Sequence, residues 1–80
     1  MIADDPIITL DARGLRCPLP LIRAKQRMAE LKPGAVLKVK TTDPEAPIDL
    51  AAWCTDEGHT LLDQSIVDAG HESMVRKAIA

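Results

Sequence analysis

Eighty residues support one small domain with an aliphatic core, since Phe and Tyr are absent and Trp53 is the sole aromatic; a deep ligand cavity of the usual roughly 300–1,000 Å³ and a base-stacking surface are both excluded. At 46% hydrophobic and 28% charged the chain reads as globular rather than disordered or membranous, and its net charge of −2 argues against nucleic acid as a direct partner. Two distant cysteines without a CxxC pair, no charged-then-apolar leader and no long apolar span predict reduced thiols and a cytoplasmic protein away from membranes.

Residues 1–6 read as a loose acidic tail and 7–80 as the single domain. Ile8, Leu10 and Ala12 alternate with Thr9 and Asp11, which predicts a strand with one buried face, and Gly14 permits the turn after it. From Pro18 to about Leu31, Leu21, Ala24, Met28 and Leu31 recur at helical spacing opposite Arg23, Gln26, Arg27 and Glu30. Pro33-Gly34 ends that helix.

A second strand, Ala35 to Thr41, turns Leu37 and Val39 inward and Lys38 and Lys40 outward, so the sheet is covered on one face. Asp43-Pro44 leads to a helix over Ala46 to Glu57. Its apolar stripe is Leu50, Ala51 and Cys54, while Trp53 shares a neighbouring stripe with Asp49 and Asp56 and is expected half-buried at the layer edge. Gly58 caps the helix, with His59 at the entry to the next strand. Thr60 to Val67 and Ser73 to Ile79 read as strands around a polar connection over 68–71. The order predicts an α/β (α+β) two-layer sandwich, βαβαββ, with a mixed four-stranded sheet and both helices on one face.

The chemistry is concentrated at Cys17-Pro18-Leu19-Pro20. Prolines fit the first helical turn, so Cys17 reads as the N-cap, where unpaired amides and the positive helix end favour an anion. Arg13 and Arg16 add positive charge in sequence, and a lowered thiol pKa follows as the expectation. Eight of the ten basic residues lie between positions 13 and 40, which makes the first helix a candidate docking face for an acidic protein surface through Arg13, Arg16, Arg23 and Lys25. Cys54 reads as a buried small hydrophobe. A zinc set of Cys17, Cys54, His59 and His71 has no recognised ligand spacing, so neither a metal nor another cofactor is called for.

The run Leu10 to Pro20, with its Arg-Gly-Leu-x-Cys-Pro-x-Pro core, together with Asp43-Pro44, Asp49, Cys54 and Gly58-His59, resembles the TusA/SirA-like sulfur-carrier family. The resemblance implies that Cys17 takes sulfur as a persulfide from a desulfurase or rhodanese-type donor and passes it to an acceptor protein, a relay rather than a turnover enzyme. It places Gly14, Pro18 and Pro20 as structural residues beside the thiol. The pathway served, whether tRNA thiolation, molybdenum-cofactor enzymes, selenium handling or sulfur oxidation, stays open. So do a regulatory binding module with an incidental thiol and a thiol oxidoreductase. A monomer is expected, because no long exposed apolar stripe is evident.

Overall fold

The computed structural model describes residues 7–79, so the expected tail over 1–6 lies outside the described residues. The elements are β1 (Ile7–Asp11), α1 (Leu19–Ala29), β2 (Val36–Thr41), α2 (Ala46–Glu57), β3 (Thr60–Val67) and β4 (Gly70–Arg76). The strands lie in the order β1-β2-β4-β3. β1 runs parallel to β2, while β4 is antiparallel to both its neighbours. The mixed sheet and two helices are those anticipated, and the β3–β4 hairpin slots its second strand against β2.

The core joins both layers. Leu37, Val39 and Val75 from the sheet meet Ala24 and Met28 of α1 and Leu50, Trp53 and Cys54 of α2. On α2 the buried positions Ala46, Leu50, Trp53 and Cys54 form one i, i+4, i+7, i+8 stripe. Trp53 is therefore not at the layer edge: it is 3% exposed, and the His59 ring packs edge-on against it with centroids 4.9 Å apart. In a core otherwise aliphatic, this one large ring fills volume that no other side chain can.

β4 ends at Arg76 rather than at Ile79, and three further boundaries differ from expectation for identifiable reasons. α1 starts at Leu19 with Pro18 in the cap position, so Cys17 precedes the cap instead of forming it. At its other end the amides of Glu30 and Leu31 bond back three residues to the carbonyls of Arg27 and Met28, closing the helix before Leu31. β4 starts at Gly70, because Asp68 takes a left-handed φ of 52° and Asp68-Ala69 alone completes the hairpin turn. The irregular pattern of β3 also resolves. A bulge lies between Leu61 and Asp63, and Gln64 faces α2, its amide donating to the Pro47 carbonyl at 2.8 Å and to Ser73 Oγ at 3.2 Å.

Candidate functional site

Parallel β1 and β2 end side by side, at Asp11 and Thr41, and the segments that leave them start both helices. The segment between β1 and α1 is pinned to the end of β2 and to the segment after it at successive points. The Ala12 amide bonds to the Lys40 carbonyl at 2.8 Å, the Gly14 amide to Thr42 Oγ1 at 2.9 Å, and the Cys17 amide to Asp43 Oδ2 at 2.9 Å. Gly14 has φ 83°, a left-handed conformation that side chains other than glycine's adopt at a cost. The second oxygen of Asp43 accepts the Glu45 amide at 2.8 Å, which ties the same carboxylate to the entry of α2.

Cys17 is thereby held, exposed, where α1 and α2 both begin. Its thiol donates to Asp49 Oδ2 at 3.0 Å, from the first turn of α2. The electrostatic consequence reverses the sequence-based expectation. The hydrogen bond to the Asp49 carboxylate, then partial desolvation, then the negative charges of Asp49, Asp43 and Glu45 push the Cys17 thiol up to about 11. Asp43 itself is held below the usual carboxylate range by the amides of Cys17 and Glu45, with Arg16 contributing its charge.

The predicted basic residues are not gathered at the sulfur. Arg13 is committed to Asp11, with Nε to Oδ1 and Nη2 to Oδ2 both at 2.8 Å. It lines an open cleft of about 220 Å³ with Lys40, Asp68, His71 and Glu72. Arg16 lines a shallow cleft with Gly14, Leu15, Thr42, Asp43 and Pro44, next to the thiol loop. Arg23 is exposed on α1, and Lys25 lies beside Met28, Trp53 and Glu57, toward the other end of the helices. Pro20 is buried and Pro18 exposed.

Sequence reasoning quoted Asp43 and Asp49 without assigning either a place at the thiol. The Cys17–Asp49 contact joins residues 32 positions apart and exists only because two helix starts meet. The acid in the first turn of α2 was the available signal, and it specifies a helix end rather than a partner. The zinc set is not assembled. Cys54 is 3% exposed in the core, and among the described residues no three His, Cys, Asp or Glu side chains converge as a metal site. Among the same residues no helix is long and apolar enough to cross a membrane.

The chain is similar to several known proteins. A putative sulfur carrier protein of Neisseria meningitidis serogroup A is 52% identical over 60 residues, 75% of this chain and 81% of that protein. The putative sulfur carrier protein YrkI of Bacillus subtilis is 50% identical over 56 residues, covering 70% and 75% of the two chains. The sulfur carrier protein TusA of Pseudomonas fluorescens is 45% identical over 56 residues, covering 70% and 68%. The crystal structure of a SirA-like protein from Desulfitobacterium hafniense superposes with a TM-score of 0.74 at 31% identity, over 86% of this chain and 93% of that one. Residues 8–77 match the family described as sulfurtransferase TusA, a range that holds both helices, the Cys17 turn and all of the sheet but Ile7, and the chain belongs to that family.

Proposed function

We propose that this sulfur carrier holds its cargo as a persulfide on Cys17, taking one sulfur atom from a desulfurase or rhodanese-type donor and yielding it to an acceptor protein in the cytoplasm. The observation that carries the reading is the exposure of Cys17 at the meeting of two helix starts, where another protein's cysteine can approach its sulfur. Cys54 is buried, which keeps it from acting as a resolving thiol that would discharge a persulfide as a disulfide. The surface of the two helices carries exposed Leu19, Ile22 and Ile48 near their starts, with Arg16 and Arg23 beside them in sequence. Such an apolar and charged mixture suits a transient protein partner.

The raised thiol sharpens the chemistry. A thiolate of high pKa is a slow leaving group, so cargo on Cys17 is retained until an acceptor thiolate is placed against its outer sulfur. The test is intact mass after incubation with a cysteine desulfurase and cysteine. The carrier gains one sulfur atom, Cys17→Ser gains none, and Cys54→Ser gains the same as wild type. Failure to load from any desulfurase or rhodanese overturns the reading.

A further inference from the structure

We propose that Asp49 is the proton-holding residue of the carrier: its carboxylate keeps the hydrogen on Cys17 Sγ in the free protein, making the sulfur a slow nucleophile, and relays that hydrogen when sulfur changes hands. The argument starts from geometry. Sγ lies 3.0 Å from Asp49 Oδ2, and no other donor meets the Asp49 carboxylate among the described residues. The Asp49 amide bonds to the Glu45 carbonyl at 3.0 Å, so the carboxylate is carried on a formed helical turn. A carboxylate oxygen held on that turn accepts the S–H as a charge-assisted hydrogen bond. Around the thiol, Asp43 and Glu45 from the β2–α2 connection share its sign, and the nearby cation, Arg16, acts on Asp43. Nothing at α1's first turn opposes them, because Pro18, Leu19 and Pro20 are uncharged.

The relay half rests on the persulfide reading above. In loading, Cys17 Sγ forms a bond to the outer sulfur of the donor persulfide, and the bond from that sulfur to the donor cysteine breaks with its electron pair. The Cys17 proton passes to Asp49 Oδ2 and ends on the departing donor thiolate. This is a displacement at sulfur that needs no added oxidant or reductant. In delivery the acceptor sulfur bonds to the outer sulfur, the bond from that sulfur to Cys17 breaks with its electron pair, and the proton given up by the acceptor thiol passes by way of Asp49 to Cys17 Sγ.

The experiment measures the alkylation rate of Cys17 by iodoacetamide against pH, with fold checked by Trp53 fluorescence. Wild type shows a midpoint above the ordinary thiol value of about 8.5. Asp49→Asn lowers the midpoint by about one pH unit or more, and Asp49→Glu keeps it raised. Thiolate content then rises about tenfold per unit, while nucleophilicity falls with a Brønsted slope of roughly 0.4–0.5, so alkylation at pH 8 quickens about threefold or more. Superimposable profiles for wild type and Asp49→Asn overturn the proposal. If Asp49→Asn does not fold, the thiolate absorbance of the wild type decides, and titration in the ordinary thiol range overturns it. The two readings fail separately. A carrier that loads from a desulfurase while the profiles coincide removes Asp49's role alone, and a shifted profile in a carrier that never loads removes the persulfide alone.

Discussion

Replacing Gly70 with Ala tests how far the Cys17 site depends on a strand pairing that never touches the sulfur. Gly70 opens β4 and is buried against the end of β2. A Cβ built there falls closer to the Thr41 carbonyl oxygen than the 3.0 Å below which such contacts are essentially never seen, with Thr41 C and Thr42 Cγ2 both at 3.3 Å. The obstructing atom is backbone in a paired strand and cannot swing aside. Overpacking of this kind costs about 1–3 kcal/mol, against a total of about 4–12 kcal/mol for a domain this size. With a urea m-value of about 1 kcal/mol/M, the unfolding midpoint falls by roughly 1–3 M. Because Thr42 receives the Gly14 amide and Asp43 the Cys17 amide, a shift of Thr41 carries into the thiol loop, and the alkylation profile of Cys17 moves with it. Gly58→Ala is the control: φ is 77°, yet nothing lies within 4 Å of the added Cβ, so it costs about 1–2 kcal/mol in local strain and leaves the thiol profile alone. A Gly70→Ala protein with wild-type midpoint and wild-type Cys17 profile refutes the coupling.

Leu50 is fully buried between the layers, and Leu50→Ala is expected to cost about 3–5 kcal/mol, read by calorimetry as a fall in Tm of roughly 12 °C or more; a loss below about 1 kcal/mol contradicts the core assignment. Stability also falls in alkali with a sign fixed by the thiols. Cys17 titrates near 11 when folded and burial raises Cys54 as well, so the folded protein retains protons that the unfolded chain has lost. That contribution is full below the unfolded thiol value of about 8.5 and disappears as pH climbs toward about 11. Urea midpoints across this window decline less steeply in the Cys17→Ser/Cys54→Ser double variant, and equal slopes contradict the assignment.

Much of the fold was legible because its signals are local. α2 and β3 occupy the residues that the Asp43-Pro44 entry and the Gly58 cap delimit, with Gly58 left-handed as a helix stop requires. The inward residues of β2 follow from simple alternation. Trp53 was misplaced since its neighbours Asp49 and Asp56 made its stripe look polar, whereas the ring itself supplies the packing volume that decides which face is buried. The site divides in the same way. Cys17 and its prolines are contiguous and announce themselves, but the chemical state of the sulfur is set by residues 43–49, which arrive only when β1 pairs with β2.

Counting charges along the chain gave the wrong sign at Cys17 for a reason that is quantitative. A helix end presents about half an elementary charge, and its influence fades beyond the first turn; Cys17 precedes the cap of α1, so that half charge acts from outside the helix. Asp49 brings a full charge into direct hydrogen-bond contact, and Asp43 and Glu45 add to it. Of the two flanking arginines, Arg13 is neutralised by its two bonds to Asp11 and Arg16 is set against Asp43. The balance therefore favours the protonated thiol until something changes the carboxylates' surroundings.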